Sequence, residues 1–251
     1  MAHRFSIVNI SSAIFDRSAP DLASCPDESL PEFAFIGRSN VGKSSLLNML
    51  SGKDDLARVS RTPGFTKLIN MFTMNKTWRL VDLPGYGFAQ VARKDKAKFN
   101  HAVSDYLVNR PNLVCVFALI DSSIPPQKID LDFLEWLASN SVPFVLVFTK
   151  TDKVGPAMAQ ANIEAFTGCI SEWFEKLPEI FTCSARTRQG RKELLGLIEE
   201  ALAAGGDDAP TPPGQPRQDD DLRQSGILPP LAGGRSSADG RGKRPNSTRP
   251  W

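Results

Sequence analysis

Short apolar runs alternate along the chain with longer segments that have the 3.6-residue period of amphipathic helices. This alternation is typical of a parallel sheet covered by helices on both faces. The six predicted strands are residues 33–37, 67–74, 77–84, 113–121, 142–150 and 179–185. The five predicted helices are residues 43–51, 94–109, 126–139, 157–176 and 191–203.

Two of the predicted strands lie too close together in sequence for a crossover connection. Only Asn75 and Lys76 separate them, so we expect an antiparallel hairpin at this point. The remaining strands can all be parallel. The pattern therefore predicts an α/β three-layer sandwich with a mostly parallel six-stranded sheet and one antiparallel edge strand.

The chain is predicted to have three parts. Residues 31–203 contain the regular pattern and are predicted to form one domain, and residues 1–30 are predicted to be an N-terminal extension that packs on it. Residues 204–251 hold 8 of the 19 prolines and 8 of the 18 glycines, with little apolar periodicity, so we predict a disordered tail. The tail ends in a basic stretch, for which a solvated terminus and an RNA contact are alternative interpretations.

Overall composition excludes several classes of protein. With 41% hydrophobic residues the chain can bury a core, and a net charge of +2 is too small to predict nucleic-acid binding by the whole molecule. The four cysteines lack the spacing of a zinc or redox motif. No apolar stretch reaches the length of a membrane span, so we expect a cytoplasmic protein without a membrane partner.

The first predicted strand runs directly into the sequence GRSNVGKS and then into a helix. This is the P-loop pattern in its required context. Gly37 and Gly42 let successive backbone N–H groups turn toward phosphate oxygens, and the helix N-terminus adds its positive dipole. Lys43 is predicted to neutralise the β and γ phosphates, and the Ser44 hydroxyl to ligate magnesium. The motif therefore predicts a nucleotide site.

A second motif, DLPG, begins at Asp82 and lies at the end of the third predicted strand. The tetrapeptide carries little information alone, because its pattern is common by chance. Its position after the P-loop and at a strand end indicates a role beside the phosphates. Asp82 is predicted to hold magnesium through water, and the Gly85 N–H to sense the γ-phosphate.

The sequence TKTD ends the fifth predicted strand and indicates which base is bound. The Asp152 carboxylate can accept hydrogen bonds from N1 and the exocyclic amino group of guanine, which adenine cannot supply in that arrangement. The stem of Lys150 can cover the base. A weaker signal for contacts to the guanine oxygen follows the last strand, at Cys183, Ser184 and Ala185. The predicted ligands are GTP and GDP.

In combination, GRSNVGKSSLLN, RTPGFTKLIN, DLPGYGFA and TKTD resemble the EngB family of bacterial ribosome-assembly GTPases, also called YsxC or YihA, within the Era-like group. The resemblance covers roughly residues 19–203, and TPG-x-T with DLPGYGFA is its most specific part. It implies a P-loop GTPase that hydrolyses GTP slowly and acts as a switch in assembly of the large ribosomal subunit, and so in normal growth, septation and cell division. The implied partner is that subunit or its RNA, and we expect a monomer.

By the same resemblance, Thr66 is the switch threonine that completes the magnesium shell when GTP is bound. Phe65 departs from the family, which usually has a basic residue there. Tyr86 stands where Ras-type proteins have the glutamine that orients water. In related Era-like GTPases an asparagine at the place of Asn40 helps to hold potassium, so potassium is a second candidate ion. An Asn40 amide that only braces the loop is the alternative.

The resemblance and the motifs together define the predicted site. The predicted catalytic residues are Asn40, Lys43, Thr66 and Gly85. The predicted magnesium ligands are Ser44, Thr66 and, through water, Asp82. The predicted contacts to GTP are Gly37, Arg38, Ser39, Asn40, Val41, Gly42, Lys43, Ser44, Ser45, Gly64, Phe65, Thr66, Asp82, Leu83, Pro84, Gly85, Thr149, Lys150, Thr151, Asp152, Cys183, Ser184 and Ala185.

Two interpretations remain open at this stage. The basic residues at 93–98 can contact RNA phosphates or form a solvated helix face. The alternative function is a nucleotide-gated RNA-binding module of another Era-like type, in which hydrolysis is incidental.

Overall fold

The computed structural model describes residues 9–27, 29–57, 68–86 and 93–204, with the backbone alone for residues 93–100. Within these ranges, seven strands form one sheet: β1 (Ala13–Ala19), β2 (Glu32–Gly37), β3 (Ile69–Met74), β4 (Trp78–Asp82), β5 (Leu113–Asp121), β6 (Phe144–Thr149) and β7 (Ile180–Thr182). The α-helices are α1 (Lys43–Ser51), α2 (Arg93–Asn109), α3 (Lys128–Ser139), α4 (Pro156–Ile170) and α5 (Arg191–Ala204).

The strands are arranged in the order β1-β3-β4-β2-β5-β6-β7. Strands β4, β2, β5, β6 and β7 are parallel to one another, and β3 runs antiparallel to both β1 and β4. The predicted hairpin is the β3–β4 pair. The predicted α/β fold with a mostly parallel sheet is confirmed, and antiparallel pairing is confined to one edge.

The prediction of six strands is wrong, because it omitted β1. This strand pairs with β3 from Ala13 opposite Met74 to Ala19 opposite Ile69. Only the first and last residues of β1 are buried, because it lies at the edge of the sheet. A strand without a buried face has no apolar run to mark it, and backbone pairing with β3 holds it in place.

Helix α4 also differs from its predicted extent. It ends at Ile170 and continues as a single 3-10 turn, Ser171–Trp173, whereas the pattern predicted a helix to residue 176. The backbone of Phe174 is extended, and its buried ring packs edge-on against Phe144 with centroids 6.1 Å apart. Packing of this ring on the sheet therefore ends the helix.

Alternate residues of β2 face two separate cores. Ala34 and Ile36 belong to the core covered by α2, α3 and α4, and Phe33 and Phe35 belong to the core covered by α1 and α5. Both faces of the strand are thus buried, which explains why its sequence is a continuous apolar run. The helix-sheet-helix layering agrees with the predicted sandwich. No helix in the described part of the chain combines the length and apolarity needed to cross a membrane.

A buried ion network lies at the amino end of β2. The Glu32 side chain has no exposed surface and accepts hydrogen bonds from Arg110 Nη2 (2.6 Å), Arg110 Nε (2.9 Å) and Tyr106 Oη (2.7 Å). Arg79 Nη1 lies 3.4 Å from the same carboxylate. Burial and the adjacent Glu32 raise the pKa of Tyr106 well above its ordinary value, so the phenol stays neutral and donates. The network joins β2 to β4 and α2, and no local pattern in the sequence predicts it.

Candidate functional site

The loop between β2 and α1 holds the first predicted motif at the carboxyl edge of the sheet. Asn40 and Gly42 have positive φ angles of 67° and 104°, which curl the backbone tightly before α1 begins. A Cβ atom at Gly37 would lie 2.7 Å from the carbonyl oxygen of Leu119, so only glycine fits where this loop crosses β5. The curl directs the chain into the helix N-terminus, where phosphate can be bound.

Lys43 and Asp82 meet at the start of α1. The Lys43 ammonium contacts Asp82 Oδ1, and their side chains are only 9% and 4% exposed. They meet because β2 and β4 are parallel neighbours that end at the same edge. Carboxylate and hydroxyl oxygens are the ligands that magnesium prefers, so Asp82 and the neighbouring Ser44 fit a magnesium site.

The segment after β4 lies directly against the P-loop. Ser39 N–H donates to the Tyr86 carbonyl oxygen at 3.3 Å. A Cβ atom at Gly85 would lie 2.8 Å from the Gly37 carbonyl oxygen and 3.3 Å from Ser39 N. This close approach requires glycine, and it brings two of the predicted motifs into contact.

Tyr86 is directed away from solvent toward α3. Its hydroxyl donates to Asp130 Oδ1 at 2.9 Å, and its ring stacks on Phe133 with centroids 4.4 Å apart. Arg38 Nε lies 3.3 Å from the other Asp130 oxygen. Burial and the negative charge of Asp130 raise the pKa of Tyr86 well above its ordinary value, so the phenol is neutral. Tyr86 therefore serves as a buried anchor for the segment.

Asp130 was not predicted as a site residue, although the sequence contains a signal for it. Asp130 is an acidic residue on an apolar helix face. The residues at the helical spacings of three, four and seven positions after it are fully buried: Phe133, Leu134 and Leu137. Such a residue needs a partner in the core.

The base-recognition motif is connected to the P-loop at the end of β6. Thr149 Oγ1 donates to the Val41 carbonyl oxygen at 2.7 Å, and Lys150 Nζ donates to the Asn40 carbonyl oxygen at 2.6 Å. Lys150 has a φ of 62°, in the left-handed region that non-glycine residues rarely adopt. The structure therefore brings the two predicted motifs together.

Asp152 is oriented by the loop after β7. Ser184 Oγ donates to Asp152 Oδ1 at 2.6 Å and itself accepts from Thr187 N–H at 3.1 Å. Thr151 Oγ1 donates to Gln189 Oε1 at 3.1 Å, a contact that sequence analysis missed. Ser184 is fully buried, so it fixes one carboxylate oxygen of Asp152 from inside the protein.

Asp121 is a further residue that sequence analysis missed. It ends β5, and its Oδ2 accepts from Lys150 Nζ at 2.5 Å. The available signal was an acidic residue at the carboxyl end of an apolar strand, the same position in a strand that Asp82 occupies in β4.

Some predicted residues lie outside the described parts of the chain. These are Gly64, Phe65 and Thr66, the side chains of the basic segment at 93–98, and residues 205–251 of the predicted tail.

Comparisons with known proteins establish the family. A family model described as a 50S ribosome-binding GTPase matches residues 32–150. A probable GTP-binding protein EngB from Bacteroides fragilis is 47% identical over 192 residues, which cover 76% of this chain and 96% of that protein.

Solved structures have the same fold at lower identity. A crystal structure of a probable GTP-binding protein EngB matches with a TM-score of 0.55 and 23% identity, over 68% of this chain and 98% of that one. Era in complex with MgGDPNP and a segment of 16S ribosomal RNA matches with a TM-score of 0.53 and 22% identity, over 77% of this chain and 60% of that one. The solved structures show the P-loop GTPase fold, and the relative at 47% identity, with which the family model agrees, shows that the chain belongs to the EngB family of GTP-binding proteins.

Proposed function

We propose that this chain hydrolyses GTP slowly to GDP and phosphate and acts as a nucleotide switch in assembly of the large ribosomal subunit. One observation carries the proposal: the P-loop, Asp82, Gly85 and Asp152 lie together at the carboxyl edge of one sheet. The description of the matching family model supports the large subunit as partner.

In the proposed reaction, the protein positions GTP and stabilises the charge that develops on the γ-phosphate. The P-loop N–H groups and Lys43 hold the phosphates, and Gly85 N–H donates to the γ-phosphate. Ser44, Thr66 and, through water, Asp82 would hold magnesium, which would supply positive charge to the phosphates when bound. Because Tyr86 is buried against α3, the residue after Gly85 does not orient the attacking water, so hydrolysis is slow.

Sedimentation with ribosomal subunits tests this function. The GTP-loaded protein is expected to sediment with the large subunit, and the GDP-loaded protein to remain in the supernatant. Phosphate release is then measured with and without the large subunit. Absence of binding in both nucleotide states would refute the ribosomal role, and absence of phosphate release under all conditions would refute the hydrolysis.

The alternative is a nucleotide-gated RNA-binding module in which hydrolysis is incidental, and the buried position of Tyr86 favours it. The two functions differ in what a cell requires. If a variant that binds GTP without hydrolysing it supports growth, binding alone is the function. If growth fails, hydrolysis is part of the function.

Potassium is proposed as an activating ion at Asn40. This residue is exposed, and its backbone oxygen already accepts from Lys150. At equal ionic strength, we expect turnover in potassium to exceed turnover in sodium severalfold. Asn40→Ala is expected to remove the difference and leave GDP affinity nearly unchanged, because the carbonyl contact to Lys150 is retained. Equal rates of phosphate release in the two salts would contradict the proposal.

The domain limits are also proposed: an N-terminal extension at 1–30, a GTPase domain at 31–203 and a tail at 204–251. A chain that ends at Ala204 keeps all of α5 and is expected to match the full chain in melting temperature and GTP affinity. The physical reason is that the tail sequence has too few apolar groups to offset its ordering entropy. A drop of several degrees in melting temperature would show that the tail packs on the domain.

A further inference from the structure

We propose that Asp121 is a positioning residue for guanine recognition, which acts by holding the ammonium group of Lys150. The inference rests on the proposed function, in which Asp152 binds the guanine edge and the Lys150 stem covers its face. Asp121 itself contacts no part of the nucleotide in this proposal. Its effect on binding passes through Lys150.

Sheet register places the two side chains together. Strands β5 and β6 are parallel, and Asp121 lies opposite Thr149, the residue before Lys150. Asp121 Oδ2 therefore reaches Lys150 Nζ at 2.5 Å. The other oxygen, Oδ1, accepts from Ser123 N–H at 3.0 Å and from Ser123 Oγ at 2.6 Å. Ser123 fixes one side of the carboxylate, so the other side is directed at the lysine.

Lys150 is held at both ends of its side chain. Its backbone is in the left-handed conformation, and its Nζ donates to the Asn40 carbonyl oxygen at 2.6 Å as well as to Asp121. Between these ends, its Cγ and Cε lie 3.9 and 3.8 Å from the point that a Cβ atom at Gly42 would occupy. The stem therefore crosses from the base motif to the P-loop along a defined path.

The ion pair is built into the protein, unlike a pair on the surface. The Asp121 and Lys150 side chains are 9% and 18% exposed. Burial alone opposes ionisation of Asp121, but hydrogen bonds from Lys150 and Ser123 hold its pKa below the ordinary value. Asp121 is therefore an anion at neutral pH, and it restrains the Lys150 side chain before the ligand binds. A free lysine side chain would lose much rotamer freedom when it covers the base, and that loss would weaken binding.

Asp121→Asn tests the inference with little change of shape. The amide oxygen can still accept from Ser123, and the amide NH2 group then faces the Lys150 ammonium, so that two donors meet. We expect affinity for GDP and for GTP to fall about tenfold each, the loss typical of one hydrogen bond to a charged group. The ratio of the two affinities stays unchanged, because the γ-phosphate is not involved. GDP dissociation, followed with a fluorescent analogue, becomes faster.

Two comparisons separate positioning from a general structural role. The control is the exposed ion pair on α3, in which Lys128 Nζ lies 2.6 Å from Asp132 Oδ1 and the lysine side chain is 87% exposed. Asp132→Asn breaks this pair and is expected to leave GDP affinity unchanged. Lys150→Met keeps an unbranched apolar stem without the ammonium group. In that background, Asp121→Asn is expected to weaken GDP binding less than about twofold, because the group through which it acts is gone.

The inference is overturned if Asp121→Asn weakens GDP binding equally with and without Lys150→Met, or leaves it unchanged in the otherwise native chain. Should Asp121→Asn not fold, Ser123→Ala replaces it, since it removes one hydrogen bond from the carboxylate and is expected to weaken GDP binding by about threefold. The effect of Ser123→Ala on GDP affinity is then compared with and without Lys150→Met, and an equal effect in the two backgrounds overturns the inference. Failure of the proposed function would look different, since the native chain would then bind ADP as tightly as GDP.

Discussion

Asp152→Asn is expected to lower GTP affinity about a hundredfold or more and to raise affinity for xanthosine triphosphate. The Asp152 carboxylate is proposed to accept two hydrogen bonds from guanine, and each bond to a charged group contributes about 1.5–3 kcal/mol. Ser184 Oγ donates to Oδ1, so in the variant the amide oxygen keeps this contact. The amide NH2 group then faces the base, where xanthine has a carbonyl oxygen in place of the guanine amino group.

Titration of the native chain and of Asp152→Asn with GTP, ATP and xanthosine triphosphate measures the effect. The xanthosine nucleotide serves as the internal control, because tight binding to it shows that the variant is folded and that its phosphate site is intact. If the native chain binds ATP as tightly as GTP, the assignment of Asp152 to the base is wrong. If Asp152→Asn binds none of the three nucleotides, the role of Asp152 is structural.

Glu32→Gln is expected to lower the free energy of unfolding by about 3 kcal/mol, the lower end of the range for breaking a buried ion pair. The amide has nearly the same shape but no charge, so the guanidinium groups of Arg110 and Arg79 lose their buried anion. The lower end applies because Arg79 also lies 3.4 Å from Asp16 and 3.3 Å from Asp27. GDP affinity is expected to change little, since Glu32 and Gly37 lie at opposite ends of β2.

Urea denaturation of the nucleotide-free protein measures this change. Glu135→Gln is the matched control, because it removes the same charge from an exposed position on α3 and is expected to change the unfolding free energy by less than about 0.5 kcal/mol. A loss below about 1 kcal/mol for Glu32→Gln would show that the network contributes little to stability. A large loss of GDP affinity would show that it acts on the nucleotide site as well.

Local sequence was sufficient to predict the elements that carry the phosphate and base motifs. Helix α1 was predicted with its observed limits, because a glycine flanks it at each end. Gly42 and Gly52 have positive φ angles of 104° and 73°. The core strands were predicted because both of their faces are buried, as the wholly buried β2 and β6 show. The chemistry of GRSNVGKS and TKTD depends on residues that are adjacent in sequence, so it could be recognised from the sequence alone.

Only the tertiary structure decided which charged residues become partners. Glu32 and Arg110 are 78 residues apart in sequence, and Asp121 and Lys150 are 29 apart. Most acidic residues lie at the surface, and no local pattern shows which distant cation Glu32 or Asp121 will meet. Strand β1 was missed for a related reason, since its pairing with β3 uses backbone groups that every residue has. The sequence by itself thus determined the fold class and the nucleotide motifs. Sheet register decided the ion pairs that support them, because it sets which distant charges come within hydrogen-bond distance.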